Sequence, residues 1–470
     1  MKLRQWQVDS VDTALNHYAS GKRHFLCLAT PGAGKTVMAA EVAAKLFEQD
    51  KIDFVLCFAP SITVSEGITY TFSNRFKARF DGVIGAVGCT YTYQNILFFK
   101  EDFWQLLQQN RVLVVFDEIH HCAGSSLENA NAWGEEIIAN VQSQAEYTLA
   151  LTGTPWRSDK APIVLSNYVG DDAKIECHYS YGLKEAVRDE VCRSPKLVLI
   201  DNDKMSVTDE EKQHKTFESL KALLNESMVS YQSVITNHQV MRHILQRGCD
   251  KLASIRRMNP QAGGLVVASS IEHACQIIRL LREDLNQSAV LVTHKQVKPS
   301  GIIAQFRHSS TQWIVSVGMV SEGTDIPRLQ VCCHLSRVKT ELYFRQVLGR
   351  ILRVNDATNQ EAWLYTFAEP KLTEFAHRID QDLPDEAVII NDSIYDDFAE
   401  SNRAKQSNHK RDSILSDLHF DWEESASDVL TNLRASDNRD DNTTTDMSIH
   451  SFKILGKYRE QVIASFDAHI

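Results

Sequence analysis

The sequence predicts an α/β protein made of two tandem units, each a parallel sheet covered by helices. Short apolar runs such as Phe54–Ala59 and Arg111–Phe116 alternate with helical patterns, as parallel strands joined by crossover helices require. A second series of the same kind runs over residues 264–367, after a polar, helix-like stretch at 203–258. The length of 470 residues suits two or three domains of roughly 150 residues each.

The first unit is predicted to begin with an amphipathic helix within residues 1–24, where apolar side chains recur at helical spacing. A strand at Phe25–Leu28 and a helix at Val37–Phe47 follow. The other elements predicted in this unit are the strands Phe54–Ala59, Val83–Val87, Arg111–Phe116 and Thr148–Leu151 and the helix Phe98–Leu107.

The second unit is predicted from apolar runs of similar length. Its strands are predicted at Gly264–Ala268, Ala289–Val292, Trp313–Val317, Val331–Leu335 and Ala362–Phe367, and its helices at Ile271–Leu281, Ile302–Phe306 and Glu341–Leu352. We place the domain limits at 1–195 and 196–380, with a helical connecting segment at 203–258.

Residues 381–470 form a polar C-terminal extension that we expect to be acidic and partly disordered. Residues 392–446 are rich in Asp, Ser, Asn and Thr and hold few large apolar side chains, a composition that buries little surface. Ile449–Phe466 is predicted to be a terminal helix that docks back onto the protein.

The net charge of −11 is unevenly distributed along the chain. Residues 392–446 carry a net −8, which leaves −3 for the rest and allows a local basic groove there. No apolar run is long enough for a membrane helix, and the N-terminus has no apolar signal core. The ten cysteines include no Cys-x-x-Cys pair, which favours a protein of the reducing cytoplasm.

The run Ala29–Thr36, Ala-Thr-Pro-Gly-Ala-Gly-Lys-Thr, lies between a predicted strand and a predicted helix. Glycines in such a turn let backbone N–H groups approach a phosphate, and the helix N-terminus adds its dipole. Lys35 is the candidate for contacting the β- and γ-phosphates of a nucleotide, and Thr36 the candidate for holding Mg²⁺.

Two adjacent carboxylates, Asp117 and Glu118, follow the buried strand predicted at Arg111–Phe116. Carboxylates in this position are costly to bury unless they hold a cation or act on water. We expect Asp117 to hold Mg²⁺ through water and Glu118 to deprotonate the attacking water. His120 would transmit the nucleotide state to other motifs.

Gln346, Arg350 and Arg353 are spaced four and three residues apart, which places them on one helical face. Arginine suits a γ-phosphate because its planar fork stabilises the charge that develops in phosphoryl transfer. Gly323 permits a tight turn before Asp325, whose carboxylate would accept an arginine or a ribose hydroxyl.

The order of these elements resembles superfamily-2 helicases of the DEAH/DExH type, nearest to the helicase part of type III restriction enzymes and related bacterial DNA helicases. The matching segments, in the family's order, are Leu3–Gln7 (adenine recognition), Ala29–Thr36 (motif I), Ala59–Ser61 (motif Ia), Thr92–Gln94, Asp117–His120 (motif II), Thr152–Arg157 (motif III), Ala268–Ser270 (motif IV), Gly318–Pro327 (motif V) and Gln346–Arg353 (motif VI).

This resemblance implies two RecA-like domains with ATP and Mg²⁺ bound between them and nucleic acid lying across both. It implies catalytic roles for Lys35, Asp117, Glu118, Arg350 and Arg353. The expected ATP-binding residues also include Arg4, Gln7, Thr30, Pro31, Gly32, Ala33, Gly34, Thr36, His120, Gly323, Asp325 and Gln346. The expected nucleic-acid contacts are Pro60, Ser61, Thr92, Gln94, Thr152 and Ser269.

Three functions remain open at this point. The first is an ATP-dependent helicase or translocase acting on DNA, in phage defence or repair. The second is an ATP-gated clamp on nucleic acid that recruits partners without unwinding, and the third is an RNA helicase. The sequence holds no nuclease signature, and if the protein is restriction-like, its nuclease would have to be a separate partner chain. Basic residues of the stretch 203–258 form either a nucleic-acid face or a solvated helix surface.

Overall fold

The computed structural model describes residues 2–124, 126, 130–154, 161–169, 174–208, 214–293, 295–296, 299–318, 325–380 and 451–464. All of these belong to one compact unit. Within the described residues, no helix is both long enough and apolar enough to cross a membrane.

The first half of the chain contains a six-stranded parallel sheet with the strand order β3-β2-β4-β5-β1-β8. Its strands are β1 (His24–Ala29), β2 (Phe54–Ala59), β3 (Gly88–Thr92), β4 (Val112–Asp117), β5 (Tyr147–Thr152) and β8 (Tyr179–Tyr181), and a separate antiparallel pair is formed by β6 (Tyr168–Val169) and β7 (Lys174–Ile175). Its helices are α1 (Gln5–Ala19), α2 (Lys35–Glu48), α3 (Ile62–Phe76), α4 (Tyr93–Ile96), α5 (Glu101–Gln109), α6 (Ala132–Asn140) and α7 (Leu183–Arg188).

The central strands of this sheet are apolar on both sides because helices cover both faces. Every residue of β4 is buried, and in β1, β2 and β5 only the first residue is partly exposed. Parallel strands end at the same edge of a sheet, so Ala29, Ala59, Asp117 and Thr152 come together there.

The second half contains a seven-stranded sheet with the order β13-β14-β12-β15-β16-β9-β18, parallel except at β18. Its strands are β9 (Ser194–Asn202), β12 (Gly263–Ala268), β13 (Ala289–Val292), β14 (Trp313–Ser316), β15 (Leu329–Leu335), β16 (Glu361–Phe367) and β18 (Tyr458–Ala464), and β10 (Met205–Thr208), β11 (His214–Phe217) and β17 (Ser451–Ile454) form a small antiparallel sheet. Its helices are α8 (Leu220–Glu226), α9 (Tyr231–Ile235), α10 (His238–Arg256), α11 (Ile271–Arg279), α12 (Pro299–His308), α13 (Glu341–Ile351) and α14 (Pro370–Asp380).

The end of the described chain is extended, so the predicted helix at Ile449–Phe466 is wrong. β17 pairs with β10, and β18 pairs antiparallel with β9. The edge of β9 presents unpaired backbone N–H and C=O groups. Pairing them with β18 stabilises the extended conformation more than the helical spacing of apolar residues stabilises a helix. Arg247 of α10 fastens β18 through two hydrogen bonds to the Glu460 carboxylate, of 2.6 and 2.8 Å.

Two other predicted elements differ from the structure. Among the described residues of the predicted helical segment 203–258, helix begins at Leu220, and residues before it form β10 and β11 of the small sheet. The strand predicted at Val83–Val87 is a turn, and the strand lies at Gly88–Thr92 instead. Gly85 has a φ of 88°, which breaks an extended run, and Ile84 is 97% exposed.

Candidate active site

The phosphate loop occupies residues 30–34, between the end of β1 and the start of α2. Gly32 and Gly34 have φ values of 88° and 96°, in the left-handed region that favours glycine. A Cβ atom on Gly34 would lie 2.9 Å from Gln7 Nε2, and one on Gly32 would lie 3.2 Å from Arg353 Cγ. The two glycines are therefore required both for the turn and for close approach by neighbouring side chains.

The N-terminal segment holds the phosphate loop through Arg4 and Gln7. Arg4 Nη1 donates to the Ala33 carbonyl at 2.7 Å, and Gln7 Nε2 donates to the Gly34 carbonyl at 2.9 Å. Gln7 Oε1 accepts from the Arg4 backbone N–H at 2.9 Å. Both amide atoms of Gln7 are thus engaged in fixing the loop, while its side chain also borders the cleft described below.

Lys35 is buried and joins the phosphate loop to the acidic pair. Its Nζ donates to the Ala29 carbonyl at 3.1 Å and lies 3.3 Å from Glu118 Oε1. These contacts hold the ammonium at the carboxyl edge of the sheet, where the loop N–H groups also lie.

Glu118 is fixed in an uncommon conformation, with φ and ψ both 53°. Left-handed backbone at a non-glycine residue persists only where its surroundings enforce it. Here Glu118 Oε2 accepts from the Gly153 N–H at 3.2 Å and lies 3.5 Å from His120 Nδ1. The carboxylate therefore connects the end of β4 with the end of β5.

Thr152, one of the expected nucleic-acid contacts, lies inside the protein. Its side chain is completely buried, and its Oγ1 lies 2.9 Å from His120 Nδ1. The same hydroxyl donates to the Thr154 carbonyl at 2.8 Å. Thr152 therefore connects His120 to the segment after β5 from inside the protein.

The two acidic side chains have opposite electrostatic character. Burial and the adjacent charge of Glu118 raise the pKa of Asp117 above its usual range. Burial also acts to raise the pKa of Glu118, but the Lys35 charge, His120 and the Gly153 N–H outweigh it and lower that pKa. Glu118 is thus the stable anion of the pair.

Thr36 and Asp117 fit the Mg²⁺ ion that such a nucleotide site implies. Both residues line the same cleft and offer a hydroxyl and a carboxylate, the hard oxygen ligands that Mg²⁺ prefers. A cation beside Asp117 would also offset the cost of burying its charge. Bound Mg²⁺ would neutralise charge on the nucleotide phosphates.

The second half reaches the phosphate loop through the C-terminal part of α13. A Cβ atom on Gly349 would lie 2.6 Å from Pro31 Cβ, so the helix backbone packs directly against the loop. Arg353 lies beyond the end of α13, contrary to the prediction that the helical face carries it. Its Nη1 donates to Asp325 Oδ1 at 2.7 Å, and burial lowers its pKa while Asp325 opposes that shift.

One cleft of about 600 Å³ collects most of the predicted nucleotide site. Its lining includes the predicted residues Arg4, Gln7, Pro31, Gly32, Gly34, Lys35, Thr36, Asp117, Glu118, Asp325, Gln346, Arg350 and Arg353. Thr30, Ala33 and His120 lie outside the lining; all three are buried. Gly323 and residues 155–157 lie outside the described part of the chain.

Of the predicted nucleic-acid contacts, Pro60, Ser61 and Ser269 follow β2 and β12, whereas Thr92 ends β3 and Gln94 lies in α4. Pro60 also lines the nucleotide cleft. Ser61 caps α3 by accepting from the Val64 N–H, and the backbone N–H and hydroxyl of Thr92 both donate to Asn95 Oδ1 at 2.9 Å. Gln94 is half-buried, and Ser269 accepts from Gln232 Nε2 at 2.9 Å.

Three cleft-side residues between α7 and β9 were not predicted. Val191 lines the cleft, the Cys192 thiol lies 3.8 Å from the Pro31 carbonyl, and Arg193 is completely buried. We call residues 191–193 the junction segment. Its residues match no motif, and only the fold shows that the segment passes between the phosphate loop and the end of α13.

Comparison with known protein families gives two matches along the chain. Residues 1–157 match the family model of the type III restriction enzyme res subunit, and residues 248–355 match that of the helicase conserved C-terminal domain. Together the two ranges cover more than half of the sequence. Over these ranges the chain is similar to superfamily-2 helicases. The predicted resemblance is therefore confirmed, and the matched domains are those of helicases in general.

Among the chain's relatives, an uncharacterized protein of Mycobacterium leprae is 29% identical over 399 residues, which cover 80% of this chain and 64% of the relative. The chain thus spans less than two thirds of that relative. The DNA 3'-5' translocase XPB2 of Sulfurisphaera tokodaii is 25% identical over 391 residues, which cover 76% of this chain and 80% of the translocase.

A solved structure confirms the predicted pair of RecA-like α/β domains. A fragment described as an HsdR subunit of a type I restriction enzyme from Vibrio vulnificus superposes with a TM-score of 0.57 at 18% identity. The match covers 80% of this chain and 66% of that fragment. At this level of identity the comparison shows the shared fold alone.

Proposed function

We propose that this helicase-family chain is an ATP-dependent translocase or helicase that moves along DNA. The observation that carries the proposal is that one cleft is lined by both halves. Lys35 and Glu118 line it from the first half, and Arg350 lines it from the second. A site completed by both halves links nucleotide hydrolysis to their relative movement, which is what stepping along a strand requires.

In this proposal Lys35 binds the β- and γ-phosphates and Glu118 takes the proton from the attacking water. Arg350 and Arg353 stabilise the charge that develops on the γ-phosphate. The lowered pKa of Glu118 keeps this side chain anionic at neutral pH, the state that a base requires. Thr36 and Asp117 hold Mg²⁺.

DNA is the proposed substrate because one relative is named a DNA translocase, and the shared fold includes a restriction-enzyme subunit. Ser61, Thr92, Gln94 and Ser269 are the proposed contacts, since they lie at or just beyond the carboxyl ends of β2, β3 and β12. Such contacts would fall mainly on phosphates and carry little sequence preference.

The decisive measurement is ATP hydrolysis with and without single-stranded DNA, and with RNA of the same sequence. We expect DNA to stimulate turnover more than RNA does. Lys35→Ala should lose nucleotide binding, and Glu118→Gln should keep binding while turnover falls about 10²- to 10⁴-fold. Lys45→Ala is the matched control on the same helix, because Lys45 pairs with Glu48 outside the cleft.

Wild-type turnover in either Lys35→Ala or Glu118→Gln would disprove the site assignment. Equal stimulation by RNA would disprove the DNA preference alone. The clamp alternative is tested by strand displacement with a deletion of residues 392–446. The deletion ends before β17 and β18. These strands must be kept because β18 completes the edge of the second sheet by pairing with β9. Full unwinding by this variant would contradict a clamp that recruits partners through the acidic segment.

A further inference from the structure

Arg193 of the junction segment is an arginine with no place in the predicted nucleotide site. Its side chain is completely buried, and burial lowers its pKa to about 10. Burying a guanidinium is costly unless its N–H groups find acceptors. The hydrogen-bond acceptors of Arg193 therefore show which segments its side chain fixes.

The guanidinium donates to the backbone at two places in the second half. Nη2 donates to the Pro327 carbonyl at 2.9 Å, and Nη1 donates to the carbonyls of Leu329 and Ile351 at 2.6 and 3.2 Å. Nε donates to Gln360 Oε1 at 3.1 Å. The Arg193 backbone N–H adds a bond of 2.7 Å to the Leu352 carbonyl.

These acceptors flank the ion pair of the cleft. Ile351 and Leu352 immediately precede Arg353, and Pro327 follows Asp325 by two positions. The Ile351 carbonyl also belongs to the last turn of α13, where carbonyls have no partner within the helix and a cation is favoured by the dipole. Arg193 thus anchors the backbone beside each member of the Arg353–Asp325 pair.

We propose that Arg193 is a positioning residue for hydrolysis, which fixes Arg353 and the end of α13 against the phosphate loop. Cys192 supports this geometry, since it forms a backbone bridge with Arg353 and its thiol lies against the Pro31 carbonyl. The junction segment therefore sets the distance between the phosphate loop and the arginine side of the cleft. The inference rests on the proposed function for its effect on turnover.

Arg328 provides a matched control within the same half. It is 6% exposed, burial lowers its pKa to about 10, and it also donates to three backbone carbonyls. Its acceptors are the carbonyls of Gln261, Phe306 and Thr311. They lie before β12, in the last turn of α12 and before β14, and none belongs to α13. Arg328 follows the cleft residue Pro327 in the chain, but its guanidinium donates away from the cleft, so Arg328→Met removes a comparable buried network and leaves every donor of Arg193 intact.

The test compares Arg193→Met with Arg328→Met in the full chain. For Arg193→Met we expect kcat to fall about 100-fold, the cost of misplacing a catalytic group by about 1 Å, with nucleotide affinity little changed. Arg328→Met should lose about as much thermal stability as Arg193→Met does, while its kcat stays at the wild-type value. Arg193→Lys, which keeps the charge but lacks the planar fork, should be intermediate and remains available if the Met variant does not fold.

Hydrogen exchange supplies a readout that does not need activity. Arg193→Met should speed exchange in 346–354 and in the phosphate loop, whereas Arg328→Met should affect the region of α12 and residues 309–313. Equal losses of kcat in the two variants, or unchanged exchange in 346–354, would overturn the positioning role. If the wild type itself hydrolyses no ATP, the proposed function fails, and the exchange comparison still decides the inference.

Discussion

The two sides of the nucleotide cleft are built in different ways. On the first side, Lys35, Glu118, Gly153, His120 and Thr152 form one connected set of contacts within a single sheet edge. On the second side, Arg353 pairs with Asp325, whose side chain is 63% exposed. The first side is fixed before nucleotide arrives, and the second depends on how α13 meets the phosphate loop.

This difference predicts which residues affect nucleotide binding and which affect hydrolysis alone. Contacts within the first side join residues at one edge of one sheet and survive movement of the second half. Contacts of the second side, such as Gly349 against Pro31, exist only when the two halves meet. Nucleotide binding should therefore depend on the first side, and hydrolysis should need both.

The largest effect is expected for Arg350→Ala. The variant should bind nucleotide with nearly normal affinity, while turnover falls about 10³-fold because charge on the γ-phosphate is left unstabilised. Nucleotide titration and steady-state hydrolysis measure the two quantities. Arg279→Ala, which changes an exposed arginine at the end of α11 outside the cleft, is the control. Parallel loss of binding and turnover would contradict the division between the two sides.

A smaller effect is expected for Thr152→Val, which removes the hydroxyl between His120 and Thr154 without changing shape. Basal hydrolysis should persist, while stimulation by DNA falls about tenfold, because coupling between sites is typically of that size. Thr148→Val is the matched control, since Thr148 on the same strand also lies 2.9 Å from a histidine, His24 Nδ1. If DNA stimulated hydrolysis equally in the two variants, the contact between His120 and Thr152 would not couple DNA binding to hydrolysis.

The smallest effect is expected far from the cleft, for Arg247→Ala. This change breaks the ion pair with Glu460 that fastens β18, and both side chains are partly exposed. The free energy of unfolding should fall by about 0.5–1 kcal/mol, with no change in hydrolysis. Chemical denaturation of the full chain measures the loss. A change in kcat would show that the edge strand communicates with the cleft.

The first side of the cleft was predictable because its residues form contiguous motifs at strand ends. Lys35 and the pair Asp117–Glu118 each follow an apolar run that fixes both their element and their edge of the sheet. Gln346 and Arg350 were predictable from helical spacing, although Arg353 lies past the helix end. The burial of Thr152 was not predictable from its position after an apolar run.

Arg193 was beyond prediction because its acceptors are backbone carbonyls, which any residue type supplies. β18 was beyond prediction for a related reason. Its pairing with β9 depends on an edge formed by a strand far away in sequence, and nothing in the local pattern of Tyr458–Ala464 reveals that edge.

The late position of β18 has a consequence for synthesis of the chain. A ribosome makes the residues of the nucleotide cleft, up to Val354, well before Tyr458–Ala464 emerges. Until then β9 has an uncovered edge, of the kind that recruits other strands. Nascent chains can therefore assemble the nucleotide cleft first, and a chaperone that shields β9 would act during the interval before the last strand arrives.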